Sequence, residues 1–249
     1  MIPWAAAALL FAGDRPAPRT ADGKPDLSGV WQGGSLAFAI GSDNAKGQDP
    51  GPAAVPPPTP LPYQPWAAAR LKEFQDRRGI DDPLGRCLLP GIPRITGMPM
   101  PFQISQTTGQ VIFVYEAFHA FRVIPTDGRK HPDDVDPSFM GDSVAHWEGD
   151  TLVIDVTGFN DKTWLAGVGT FHTEALHVIE RFTRTDFDHM RYDVTMEDPA
   201  VFTKPATRSS TIWLRPGERV REYECIENNE DIVRYESLLK SGVFQKKKD

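Results

Sequence analysis

Between residues 102 and 226, short apolar runs alternate with turn residues, which is the pattern of antiparallel strands joined by hairpins. Four hairpins are expected, pairing 102–106 with 111–116, 143–147 with 151–157, 174–184 with 189–197, and 209–215 with 219–226. Strands over 28–33 and 119–124 bring the expected total to about ten. In the 189–197 segment, Met190, Tyr192, Val194 and Met196 fall on one face and Arg191, Asp193, Thr195 and Glu197 on the other, the two-residue period of a half-buried strand. A meander of this many strands hides its edges most simply by closing on itself, so the expected fold class is an all-β antiparallel barrel.

The chain before residue 102 reads differently. From 43 to 65 it is dominated by Pro, Gly and Ala, which excludes a central strand or a continuous helix. Residues 66–75 then combine strong helix formers with Pro65 in the first turn, which predicts one short helix. A second Pro- and Gly-rich segment, 82–101, is expected to cross back to the strands in an extended conformation. The region 43–101 therefore reads as a Pro-rich strap plus helix inserted into a single β-barrel domain over 27–245. Residues 1–26 read as a residual export signal with a disordered leader, because an apolar run of signal length is followed by Asp14, Pro16 and Pro18.

A formal net charge of -7 excludes nucleic acid as the main partner, and no apolar stretch of about 20 residues supports stable membrane insertion. The basic run Lys246-Lys247-Lys248 reads as a solvated tail. Cys87 and Cys225 fit an exported protein, periplasmic or extracellular, in which one disulfide would contribute about 4 kcal/mol. Two buried free thiols are the alternative.

Candidate chemistry concentrates between 142 and 199, which holds four of the six histidines. Glu174-Ala-Leu-His177 lies at its centre, and the same spacing occurs in Glu116-Ala-Phe-His119. The window 174–184 fits either a strand or a helix, and the turn that follows favours the strand. On a strand, His172 shares a face with Glu174, and His177 with Arg181. A histidine oriented by a carboxylate suits acid–base catalysis. In that scheme Glu174 orients or charge-stabilises, His172 or His177 moves the proton, and Arg122 or Arg181 stabilises developing negative charge, with Glu116 and His119 as second choices. No cofactor is favoured; a divalent metal held by His119, His172, Glu174 or His177 is the open alternative. Trp147, Trp164, Phe159, Tyr115 and Phe121 are the aromatics expected to receive a small apolar or aromatic ligand. The segment 158–169 is a candidate lid. His131 reads as a turn residue without a role, and neither a phosphate-binding loop nor a Gly-x-Ser-x-Gly elbow is present.

The opening Asp26-Leu-Ser-Gly-Val-Trp31, the segment Arg86-Cys-Leu-Leu-Pro-Gly91, the motif Trp147-Glu-Gly-Asp-Thr-Leu-Val153 and the stretch 174–182 resemble a large family of uncharacterised exported bacterial proteins. That resemblance implies export and a common fold. Gly29-Val30-Trp31 is also similar to the Gly-x-Trp element that opens lipocalins, where the Trp closes the barrel floor, and it implies a lipocalin-like barrel. Three functions follow as expectations: an acid–base lyase, isomerase, cyclase or hydrolase acting on a small, largely apolar substrate; a non-catalytic carrier of such a molecule; and a metal-dependent hydrolase or oxidoreductase.

Overall fold

The computed structural model describes residues 15–34, 60–77, 79–167, 169–227 and 229–242. The apolar N-terminal run, the Pro-rich stretch 43–59 and the lysine run 246–248 lie outside the described residues. Nine antiparallel strands form one sheet: β1 (Gly29–Gly33), β2 (Pro101–Thr107), β3 (Gln110–Tyr115), β4 (Phe121–Pro125), β5 (Asp142–Glu148), β6 (Thr151–Thr157), β7 (His177–Arg184), β8 (His189–Glu197) and β9 (Ala206–Leu214). Their order is β4-β3-β2-β1-β9-β8-β7-β6-β5. Consecutive strands pair as a meander, while β1 also pairs with β9, matching Trp31 to Leu214 and Gly33 to Ile212. The sheet thus curls into a nearly closed all-β barrel whose seam lies between β4 and β5.

The period-two pattern sets which side chains fill the barrel. Met190, Tyr192, Val194 and Met196 all point inward and are fully buried, with Val178 and Phe182 beside them on β7. Phe102, Phe113, Tyr115, Phe182 and Tyr192 make a chain of ring contacts through the interior, so side chains fill the middle of the barrel. Trp31 is completely buried at one end, where its ring donates Nε1–H to Leu27 O (2.9 Å) and lies 4.9 Å from the Arg184 guanidinium.

The other end is capped by the segments between strands. Helix α1 (Pro65–Asp76) has Pro at its first turn and packs Phe74 against Trp164 and Phe171. The turn at Arg94–Gly97 crosses close over Gly33, where an added Cβ would sit 1.9 Å from Thr96 O, so only glycine permits this crossing. The Cys87–Cys225 disulfide is formed and ties this cap to the chain after β9, across 138 residues.

Four expectations need correction. Residues 219–226 form no hairpin with β9, because β1 already occupies the free edge of β9, and nine strands are observed among the described residues. That segment is held by side chains and the disulfide. A second helix, α2 (Asp231–Lys240), follows it, with Tyr235 packed on Gly85. The crossing 82–101 is not simply extended: Asp82 accepts from Leu84 N (3.0 Å) and caps a short 3-10 turn at Pro83–Arg86, while Arg94 forks onto Asp82 with two bonds of 2.7 Å. Finally, β7 begins at His177 and not at Glu174, because Thr173 is bound by Asp198 through its N–H (2.7 Å) and hydroxyl (3.0 Å) and opens a turn over Glu174 and Ala175.

Candidate active site

The residues singled out from sequence are dispersed in the fold. His172 is buried in the cap, where its Nδ1–H donates to Thr173 O (2.9 Å) and its Nε2 accepts from the Thr163 hydroxyl (2.6 Å). Burial lowers its pKa, so both ring nitrogens are satisfied by a neutral imidazole. Glu174 is exposed on its turn and does not share a strand face with His172. Glu116 accepts from Arg221 N (2.9 Å), and His119 accepts from Tyr223 N (3.4 Å) and lies 3.5 Å from Glu224. That pair anchors the chain after β9, helped by Phe118 and His119 in left-handed backbone (φ 61° and 50°) and a Phe118–Tyr223 ring contact. Arg181 points outward to Glu148 (2.5 Å). The two Glu-x-x-His motifs therefore serve different places.

The aromatics are similarly divided. Tyr115, Phe159 and Trp164 are buried, Trp147 is half-buried against the core, and Phe121 is 68% exposed. With Phe159 and Trp164 packed inside and Thr163 bound to His172, the segment 158–169 is fastened into the cap and is not a free lid.

Two constellations emerge that the chain brings together from distant positions. The first lies on the outer face of β5 to β8. Asp142 Oδ2 bonds His131 Nδ1 (2.5 Å), His131 Nε2 bonds Asp155 Oδ1 (2.9 Å), Asp155 Oδ2 bonds His177 Nε2 (3.0 Å), and His177 Nδ1 reaches Glu197 Oε2 (3.4 Å). Strand register explains the contacts: Glu197 stands directly opposite His177, and Asp155 on β6 is displaced by two residues from both Asp142 and His177, diagonal to each. His131 and His177 thus each face a carboxylate with both ring nitrogens. The bond to Asp155 raises the pKa of His177, and the bond from His177 lowers that of Asp155.

The second constellation is interior. Arg122 Nη2 lies 2.6 Å from Glu180 Oε2, with side chains only 3% and 0% exposed. Tyr192 donates its hydroxyl to Glu180 Oε1 (2.8 Å), and Arg122 donates to Ser143 Oγ across the seam (2.9 Å). Burial works against the charge on Arg122, but Glu180 and Tyr115 outweigh it and the guanidinium stays charged. Burial raises the pKa of Tyr115 and Tyr192, which keeps both as donors. The ion pair is close but imperfectly directed: the buried Glu180 Oε2, Arg122 Nε and Arg122 Nη1 miss strict hydrogen-bond geometry, while Glu180 and Tyr115 both lie close enough to Arg122 to stabilise its charge.

A cleft of about 350 Å³ opens at the seam between these two systems. Arg122 and Ser143 line it, Asp142 sits on its wall, and Phe121, Val123 and Val144 supply apolar surface. Gly141, beside Asp142, has φ 68°, and a Cβ there would meet Thr157 O at 2.6 Å, so the entry to β5 is shaped by glycine. A second cleft of about 460 Å³ lies at the Trp31 end. There Arg184 is already held by the carbonyls of Asp26, Asp186 and Phe187, which marks it as a floor support.

Of the sequence candidates, Arg122 and Phe121 line the seam cleft and His177 belongs to the chain that leads to it. His131, Asp142, Asp155 and Glu180 were not legible as site residues. Only Glu180 carried a local signal, a carboxylate in phase with Val178 and Phe182 on the buried face of β7. Among the described residues, no group of three or more His, Cys, Asp or Glu side chains is arranged to hold a metal ion, and the four metal candidates do not converge. No helix among them is long and apolar enough to cross a membrane. Comparison with protein-family models, curated proteins and solved structures finds no match to this chain, so its side-chain geometry carries the functional argument.

Proposed function

We propose that this protein is an exported, lipocalin-like barrel enzyme that binds a small, largely apolar molecule in the β4–β5 seam cleft and performs cofactor-independent acid–base chemistry on it. The observation that carries this reading is the unbroken chain Asp142–His131–Asp155–His177–Glu197, which ends at the cleft that Arg122 also lines. Asp142 is the base. Its Oδ2 is held by His131, and its other oxygen faces no hydrogen-bond donor among the described residues. It takes a proton from one atom of the ligand and returns it at another, while His131 and the carboxylates behind it fix its position and balance its charge. Arg122 meets the negative charge that develops on the ligand. The disulfide supports export, since such bonds persist in oxidising compartments.

The carrier reading is favoured by one observation, the exposure of Phe121 (68%) and Val123 (52%) at the cleft, which suits binding without chemistry. One experiment separates the two. Small-molecule mixtures are screened by ligand-observed NMR, and each binder is then incubated with the protein in D2O. Deuterium incorporation by the wild type that is lost in Asp142→Asn supports the enzyme; binding without exchange in either protein establishes the carrier.

A further inference from the structure

The chain after β9 leaves the barrel without adding to its core. Arg215 is still fixed, by its N–H to Val30 O (2.8 Å) and its guanidinium to Gln32 Oε1 (2.6 Å). Beyond it, among the described side chains of 219–227 and 229–242, none is buried, and Ile226 and Val233 are 70% and 73% exposed. This arm rests on the surface: Glu116 accepts from Arg221 N, His119 accepts from Tyr223 N, the Tyr223 ring meets Phe118, and Tyr235 lies on Gly85. The Cys87–Cys225 disulfide spans the same contact, and its two sides are unequal. On the Cys87 side, Ile92 and Ile95 are buried and Arg94 forks onto Asp82, so the cap is fixed without the bond. On the Cys225 side, exposed hydrogen bonds contribute little and do not offset the entropy of ordering an arm this long. We infer that the Cys87–Cys225 disulfide is a redox-operated clasp: its reduction by a thiol frees the arm from a barrel that stays folded and uncovers Phe118 and the Glu116–His119 turn. This inference is independent of the seam-cleft reading above.

The surroundings of the sulfurs agree. Both cysteines are only half-buried, so a dissolved thiol has access to the bond. Asn229 Nδ2–H donates to Cys87 Sγ (3.1 Å) and lies farther from Cys225 Sγ (3.9 Å), which favours Cys87 as the leaving group. A thiolate of an external dithiol attacks Cys225 Sγ; the new sulfur–sulfur bond forms as the Cys87–Cys225 bond breaks, and the released electron pair stays on Cys87 Sγ. The second thiolate of the dithiol then attacks its own partner sulfur in the mixed disulfide and expels Cys225. The protein gains two electrons and two protons, and the dithiol, having lost both, closes to its own disulfide. In the oxidised protein Glu116 and His119 hold alternate backbone N–H groups of the arm and Phe118 holds one of its rings, so the arm is an internal cover over that surface.

Dithiothreitol tests this on the 15N-labelled full chain under native conditions, with amide spectra reporting structure and thiol labelling timing the reduction. Amides of 219–227 and of α2 are expected to move to unstructured positions, since a helix of this length is marginal once undocked. Those of β1 to β9 are expected to keep theirs, while Glu116 to His119 shift as the arm leaves. The initial rate of reduction is expected to rise roughly tenfold for a tenfold rise in dithiothreitol, as direct attack on an accessible bond requires. Arm amides that keep their oxidised positions after full reduction overturn the inference, because the arm then docks without the bond. Loss of the β1 to β9 signals together with the arm overturns it as well, because the disulfide then holds the barrel itself. A reduction rate indifferent to dithiothreitol concentration does the same, since the bond then opens only after unfolding.

Discussion

The interior pair and the outer-face chain use the same kinds of group under opposite conditions. Arg122 and Glu180 face each other at 2.6 Å with almost no exposure, whereas His177 and Asp155 meet at 3.0 Å with side chains 31% and 36% exposed. In the interior Arg122 and Glu180 are paired with each other and tied to Ser143 and Tyr192; on the outside each imidazole nitrogen has a carboxylate. The distances differ little, so burial, not separation, sets what each pair contributes. A buried pair is costly to break, because the partner left behind stays in the interior uncompensated, whereas a half-exposed one is inexpensive to break.

The largest expected effect comes from breaking the interior pair. Arg122→Met leaves Glu180 buried and uncompensated and is expected to cost about 3–5 kcal/mol in urea unfolding. Adding Glu180→Met to that variant should recover most of the loss; a single substitution costing less than its double would break the comparison. Tyr192→Phe removes the hydroxyl bound to Glu180 Oε1 and should cost about 1–2 kcal/mol, measured the same way.

The outer chain should respond to pH and salt where the interior does not. His177 has its pKa raised from an ordinary 6.5, so its contribution is fully present below that value and fades as pH rises through the raised one. Asp155 is lowered from 3.8, so its contribution is present above that value and is lost as pH falls through the lowered one. Together they define a window between 3.8 and 6.5 in which His177→Gln should cost most, although less than about 1 kcal/mol. Unfolding curves of wild type and variant across pH should converge at high pH and in about 1 M salt, where screening is strong. A variant equally destabilised at every pH would show that His177 acts through packing. Smallest of all, Phe121→Ser should change stability by no more than about 0.5 kcal/mol, because the ring is exposed. Any weakening of small-molecule binding at the seam cleft by that change, read by ligand-observed NMR, then belongs to the ligand site and not to folding.

Much of the barrel is legible in local pattern. The alternation of Met190 to Glu197, the turn at Gly149 and the helix behind Pro65 each depend on residues a few positions apart, and each matches an observed element. The hairpin proposed for 219–226 depended on which strand would already hold the edge of β9, and β1, nearly two hundred residues earlier in the chain, takes it. The site was legible only in fragments. Arg122, expected to stabilise negative charge, and Phe121, expected to receive a ligand, both line the seam cleft, whereas Glu174 and His172 are taken apart by a turn that Asp198 imposes from another segment.

The sequence by itself determines the faces: which side chains of each strand are buried, where glycine and proline end an element, and that the strands form a meander. Those follow from a two-residue period and from backbone sterics, both local. Only the tertiary structure decides the partners. Arg122 meets Glu180 across the barrel, His131 meets Asp142 and Asp155 beside the seam, and Cys87 joins Cys225, because curvature and closure bring together positions that no short-range rule connects.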